Sequence, residues 1–174
     1  MADPRAAPTA YLLLPRTLEG FIQYDQAVDL AIKGGLSLSG QACTGTSRIL
    51  VMKPVLQAYV DKLSARMKAL KVGSGMVAGH DIGPMATAAQ LETVLRYVDI
   101  GRGEATHVLG GDRLLGPDHE HGWYVSPALF TGVTMDMRIA QEEIFGPVLA
   151  VIQVESYADA IAQANATPYG LSAA

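Results

Sequence analysis

Between Arg48 and Met52 the chain reads Arg-Ile-Leu-Val-Met, and Pro54 follows two residues later. A short run that is apolar at nearly every position is a strand covered on both faces, because a strand with one wet face alternates apolar and polar residues. Proline suits the first turn of a helix, where its missing N–H would have had no partner. Beyond it, Leu56, Val60, Leu63, Met67 and Leu70 recur at three- and four-residue spacing, while Asp61, Lys62, Arg66 and Lys68 fall elsewhere. That spacing makes a helix with one packed face and one solvated face.

The same alternation runs along the rest of the chain. Ala27, Val28, Ala31 and Ile32 form one helical stripe from Asp25, and Gly34-Gly35 is expected to stop or loosen that helix. Thr87 with Gln90 three positions on is a capping-box pattern, followed by Leu91, Val94, Leu95 and Val98, with Gly101 as the expected end. Strand candidates lie at Thr106 to Leu109, Trp123 to Val125 and Val148 to Val154. A last helix starts near Ser156, with Asp159 three residues later, and fades by Asn165. Helices alternating with short apolar strands predict an α/β layered domain with a mostly parallel sheet. Residues 1–20, with three prolines in the first fifteen positions and no periodicity, read as an atypical, poorly ordered leader; residues 21–174 read as the domain proper.

Composition narrows the function classes. With 49% apolar and 17% charged residues over 174 positions, the chain is globular and sized for one domain. A net charge of -4 argues against a nucleic-acid partner. The run Tyr11 to Leu14 ends at Pro15, too short for a signal peptide, and nothing approaches the roughly 20 apolar residues of a membrane span. A soluble, cytoplasmic protein with no membrane partner is the expectation. Cys43 is the only cysteine, which excludes an intramolecular disulfide and every multi-cysteine zinc site.

Two segments hold residues suited to chemistry. In Ser39-Gly-Gln-Ala-Cys43-Thr-Gly-Thr-Ser-Arg48, small neighbours leave room for a substrate to reach the sulfur and leave backbone N–H groups to steady an oxyanion. Arg48 is a candidate to favour the thiolate if it folds back. The residues by themselves leave Cys43 equally readable as a nucleophile or a small structural cysteine. In Gln141-Glu-Glu-Ile-Phe-Gly-Pro-Val148, a carboxylate is suited to accept hydrogen bonds from two neighbouring hydroxyls, such as a ribose diol, and Phe145 to wall a flat heterocycle. An ordinary loop with solvated glutamates and a core-facing phenylalanine fits that segment as well. The histidines at 80, 119, 121 and 107 are read as solvated or structural, with no metal site expected, and Gly73-Ser-Gly75 follows a helix where a dinucleotide fingerprint would follow a strand.

Taken together the two segments resemble the aldehyde dehydrogenase superfamily. Gly40-Gln41-Ala42-Cys43 with Ser47-Arg48 is similar to its nucleophile segment, and Glu142-Glu143-Ile144-Phe145-Gly146-Pro147-Val148 to its most recognisable stretch. Ile82-Gly83-Pro84, Gly110-Gly111, Gly122 to Pro127 and Asn165 to Ser172 fall in the same order and at about the family's spacing. The resemblance implies a three-layer aldehyde-dehydrogenase-like catalytic domain, incomplete in this chain. It implies that Cys43 attacks a small-molecule aldehyde to give a thiohemiacetal, that hydride passes to NAD or NADP, and that water releases an acid from the thioester. It implies that the Cys43 N–H serves an oxyanion hole, that Glu143 binds the nicotinamide ribose and Phe145 packs near the nicotinamide. Asn165, Tyr169 and Gly170 would be structural supports.

Departures temper that picture. Where the family's general-base segment of Glu-Leu-Gly-Gly type would fall, near Thr9, the chain reads Pro8-Thr-Ala-Tyr-Leu-Leu. The family's nucleotide-binding domain and the asparagine of its oxyanion hole are absent from the sequence. The alternative reading is therefore a non-catalytic remnant, and apolar faces lacking their partners would favour self-association or a homo-oligomer.

Overall fold

The computed structural model describes residues 9–13 and 20–171, with side chains from residue 24 onward. In chain order the elements are strand β1 (Thr9–Leu13), helix α1 (Gly20–Leu36), β2 (Thr46–Met52), α2 (Leu56–Lys68), α3 (Ala88–Glu104), β3 (Thr106–Leu109), β4 (Ala128–Thr131), a one-turn helix α4 (Arg138–Gln141), β5 (Val148–Val154) and α5 (Tyr157–Asn165). Short 3-10 turns at Ser37–Gly40 and Lys53–Val55 join α1 to β2 and β2 to α2. The sheet order is β1-β2-β5-β4-β3. Neighbours run parallel except β3, which is antiparallel to β4.

The apolar run of β2 sits between two other strands, in register with β5 from Arg48 opposite Ala150 to Met52 opposite Val154. Its side chains alternate between two cores. Leu50, with Phe130, Ala150 and Ile152, packs under Leu91, Val94 and Val98 of α3, joined by Ile139 of α4 and Ala160 of α5. Ile49 and Val51, with Leu129, Leu149 and Val151, pack on Val28 and Ala31 of α1 and on Tyr59, Leu63 and Met67 of α2. Helices thus cover both faces, which is the three-layer α/β arrangement the sequence predicts, in incomplete form. On the outer side of one layer, Lys62 and Arg66 of α2 pair with Asp25 and Asp29 of α1 at 2.7 and 2.5 Å.

Several boundaries differ from the sequence expectation. Gly34 and Gly35 do not end α1, which continues to Leu36. Gly35 is there because the helix comes down onto the sheet: a Cβ would stand 2.4 Å from Leu149 Cδ2 and 2.7 Å from the Thr46 carbonyl oxygen. Gly101 likewise lies inside α3, against the ring of Phe130. Trp123 to Val125 is not a strand of the sheet but an extended strip with isolated bridges, Trp123 to Met85 and Val125 to Arg113. The strand that does reach the sheet is β4, immediately after Pro127 and buried at Ala128, Leu129 and Phe130. Thr9–Leu13, within the stretch read as a poorly ordered leader, pairs with β2; the remainder of that leader before Gly20 lies outside the described residues.

Among the described residues no helix is long and apolar enough to cross a membrane, and no group of three or more His, Cys, Asp or Glu is disposed to hold a metal. His119 instead stands 3.0 Å from the Val72 carbonyl through Nε2, and His80 is 3.0 Å from the Ser74 carbonyl through Nδ1.

Candidate active site

The loop from α1 into β2 begins with an unusual backbone. Leu38, Ser39 and Gly40 take φ of 51°, 59° and 71° in succession. The left-handed conformation costs a residue with a Cβ roughly 1–2 kcal/mol, so Leu38 and Ser39 need something to hold them. Ser39 is buried and its Oγ donates to the Gly83 carbonyl at 2.9 Å. Gln41 Nε2 donates to the Pro84 carbonyl at 3.3 Å, and Gln41 Oε1 accepts from the Ala86 N–H at 2.8 Å. The Ile82-Gly83-Pro84 strap, distant in sequence, therefore fixes the approach to Cys43. Beyond it, the Gly45 N–H donates to the Ala42 carbonyl at 2.9 Å and closes a tight turn that leaves Cys43 exposed.

The second loop, from α4 into β5, meets the first backbone to backbone. A Cβ on Gly40 would lie 2.1 Å from the Gly146 carbonyl oxygen, so no side chain fits between them. This contact puts Glu143, Ile144, Phe145 and Gly146 beside Ala42, Cys43 and Gly45 in one open cleft. Phe145 is itself left-handed, at φ 55°, and 37% exposed. It does not turn into the core.

Glu142 and Glu143, adjacent in sequence, have different surroundings. Glu143 borders the cleft with Cys43. Glu142 receives two N–H bonds from Arg138, Nε to Oε1 at 2.7 Å and Nη2 to Oε2 at 2.9 Å, and a third bond from the Tyr97 hydroxyl at 2.6 Å. Arg138 holds the Glu142 carboxyl below the usual carboxylate range, with the Tyr97 bond acting in the same direction. Burial, and then the bond to Glu142, push the Tyr97 hydroxyl up.

Arg48 does not fold back toward Cys43. It shares a strand face with Leu50 because side chains two apart point the same way. Its side chain is buried, and Nη1 donates to Met135 Sδ at 3.5 Å. The fold brings together Cys43, Glu143 and Phe145, the three residues singled out in the sequence, whereas Asn165 and Tyr169 stand away from their cleft. Asn165 Nδ2 donates to the Ile161 carbonyl at 2.8 Å, and Gln141 Nε2 reaches the Ala166 carbonyl at 2.7 Å, tying that segment to the end of α4. Gln90, Tyr97, Arg138 and Gln141 are supporting residues that sequence reasoning does not single out for the site. Only Gln90 carries a signal, its position three residues after Thr87, and that signal points to a helix cap.

The cleft encloses about 30 Å³, close to the volume of one water. A pocket that buries a small organic ligand is typically about ten times larger or more, so this lining is an open wall and not a closed binding pocket. The wall stands at the amino ends of the parallel strands β2 and β5, where Thr46, Ser47 and Val148 line it. Open α/β sheets usually bind ligands outside the carboxyl ends of their strands.

The family model described as "Aldehyde dehydrogenase family" matches residues 20–174. The chain is 44% identical over 149 residues to alpha-ketoglutarate semialdehyde dehydrogenase of Haloferax volcanii, covering 85% of this chain and 30% of that protein. It is 39% identical over 150 residues to alpha-ketoglutaric semialdehyde dehydrogenase of Bacillus subtilis, covering 86% and 31%. Among solved structures, 1-pyrroline-5-carboxylate dehydrogenase from Thermus with bound NAD superposes with a TM-score of 0.87 at 35% identity, over 97% of this chain and 31% of that one. Betaine aldehyde dehydrogenase from Staphylococcus aureus in complex with NAD+ does so with 0.87 at 33% identity, over 95% and 32%. The chain thus spans about a third of the length of the relatives it matches.

Proposed function

Because the chain belongs to the aldehyde dehydrogenase family, we propose that it carries the nucleophile wall of an NAD(P)-dependent aldehyde dehydrogenase, oxidising a small-molecule aldehyde to an acid through Cys43. One observation carries this reading: an exposed cysteine, a glutamate and an outward-turned phenylalanine, a hundred residues apart in sequence, share one cleft. Cys43 Sγ, as thiolate, forms a bond to the aldehyde carbon while the carbonyl π pair moves to oxygen. The Cys43 backbone N–H is the donor for that oxygen. NAD or NADP, when bound, supplies the hydride acceptor that turning an aldehyde into an acid requires. After that oxidation Cys43 holds the acyl group as a thioester. Water then adds to the carbon, the C–S bond breaks with its electron pair staying on sulfur, the acid leaves as carboxylate and the two protons of the water pass to solvent.

Two residues of this wall suit the nicotinamide half of such a cofactor. Glu143 presents a carboxylate, an acceptor for both hydroxyls of a ribose diol. Phe145, exposed at the same border, offers a face for a flat ring.

A second reading has its own support. The enclosed volume is small, and among the described residues Glu143 is the one carboxylate lining it, so none of them stands beside Cys43 as a separate general base. On that reading the chain folds without turning over substrate.

Alkylation of Cys43 by iodoacetamide, followed across pH with NAD titrated in and Cys43→Ser as the blank, separates the two. Under the first reading NAD changes the labelling rate several-fold and saturably. A rate indifferent to millimolar NAD and NADP would leave the family assignment intact and favour the second.

A further inference from the structure

Helix α3 touches the Glu142–Gly146 loop at three points, all on one side of the helix. Gln90, Val94 and Tyr97 are spaced i, i+4 and i+7, which stacks side chains along one face. Gln90 Nε2 donates to the carbonyls of both Ile144 and Phe145 at 2.9 Å. Val94 lies so close to Gly146 that a Cβ there would stand 2.3 Å from its Cγ2. The Tyr97 hydroxyl donates to the Glu142 carboxylate that Arg138 grips from the other side.

Helix stability does not account for the first contact. A glutamine three residues after the N-cap ordinarily reaches back to the N-cap N–H. In α3 the Thr87 side chain accepts from the Gln90 backbone N–H at 3.1 Å, while the Gln90 carboxamide crosses to the other loop. There it bridges two successive carbonyls, one on each side of the left-handed Phe145. Pinning both carbonyls fixes the two peptide planes that set the φ and ψ of Phe145.

We propose that α3 is the positioning element of the site, with Gln90 and Tyr97 as the positioning residues that hold Phe145 left-handed and aim Glu143 beside Cys43. Neither side chain lines the cleft. The catalytic consequence rests on the proposed cofactor reading of Glu143 and Phe145; the conformational claim does not.

The chain has three phenylalanines, Phe21, Phe130 and Phe145. Two of them make a matched pair of probes. Phe145 reports the loop, and Phe130, buried on β4 against Gly101 of α3, reports the seating of the helix. The full chain is labelled with 4-fluorophenylalanine, and Phe145→Leu assigns the loop resonance in the 19F spectrum. Gln90→Ala and Gln90→Glu are expected to shift the Phe145 resonance toward its unfolded position and leave Phe130 in place. Tyr97→Leu, which removes the hydroxyl without adding a fluorinated ring, is expected to give a smaller shift in the same direction. Thr87→Ala, which removes the cap of the same turn but not the bridge, is expected to move neither. The Glu variant keeps the side chain's length without the N–H donors, so it decides the matter if the Ala variant loosens the helix. A Phe145 resonance unmoved in Gln90→Glu, or one that moves only together with Phe130, would overturn the proposal. The readout needs no cofactor: indifference of Cys43 labelling to NAD would sink the cofactor reading and leave this result standing.

Discussion

At Gly40 the whole site depends on a missing Cβ. Its φ of 71° is in the left-handed region, and the Gly146 carbonyl occupies the place a methyl group would take. The obstruction is backbone, which cannot rotate away as the end of a side chain can. Gly40→Ala is therefore expected to destabilise the chain by more than about 1 kcal/mol, from conformational strain alone, and to part the two loops. Gly103 is the contrasting case, inside α3 with nothing within 4 Å of an added Cβ. Gly103→Ala should stabilise by roughly 0.5–1 kcal/mol, since alanine loses less conformational freedom in a helix. Urea denaturation of the two variants checks both signs. A neutral Gly40→Ala would mean that the loops are free to separate without cost. Cys43 and Glu143 are legible in the sequence because their neighbours form a recognisable ordered set. Gly40 looks there like any small neighbour of a nucleophile, because the atom that demands glycine belongs to a residue more than a hundred positions away.

Among the elements, α3 is readable as a helix from its stripe of Leu91, Val94, Leu95 and Val98, and its Thr87 cap is formed as the pattern predicts. Its second task is not readable, because Gln90 and Tyr97 act on partners 45 to 55 residues away. The same limit applies to α1: a Gly-Gly pair signals a helix end locally, and only the closeness of Leu149 and the Thr46 carbonyl shows why position 35 takes glycine inside a continuing helix. The α3–α4 contact has a pH signature that follows from the shifts at Tyr97 and Glu142. The folded pKa of Glu142 is depressed, chiefly by Arg138. Its contribution to stability is therefore complete above the ordinary glutamate pKa of about 4.3 and is lost as pH falls through the lower folded value. The Tyr97 pKa is raised, so its contribution is complete below about 10 and is lost as pH rises through the higher folded value. Glu142→Gln should flatten the acid limb of a plot of urea midpoint against pH, and Tyr97→Phe the alkaline limb. The carboxylate is partly exposed, so the change is a modest one that salt weakens. An acid limb identical in Glu142→Gln would show that the three-residue contact does not contribute in solution.

For the molecule as a whole, the layered α/β class expected from the strand–helix alternation is found, with a core on each face of one sheet, but that class does not by itself locate the site. The rule for parallel sheets points to the carboxyl strand ends, whereas Cys43 and Glu143 meet at the amino ends of β2 and β5. They meet there because each face supplies one loop: the α1 side delivers Cys43, and the α3 side braces Glu143. A site assembled from both layers stays intact only while both cores are folded. Strands β2, β4 and β5 contribute alternate residues to each core, so neither layer can lose its packing without exposing the other's strands. One cooperative transition is the expectation. Leu63 on α2 is fully buried in the core opposite α3. Leu63→Ala should cost about 2–5 kcal/mol through the cavity it leaves. The only tryptophan, Trp123, bridges to Met85 on the α3 side, and its fluorescence reports that layer, whereas far-ultraviolet circular dichroism reports all the helices. The two probes should fall together in urea for the parent chain and shift together in Leu63→Ala. A fluorescence transition left in place while circular dichroism shifts would mean that the two layers unfold separately. The α3 side could then keep its loop while the nucleophile side is already lost.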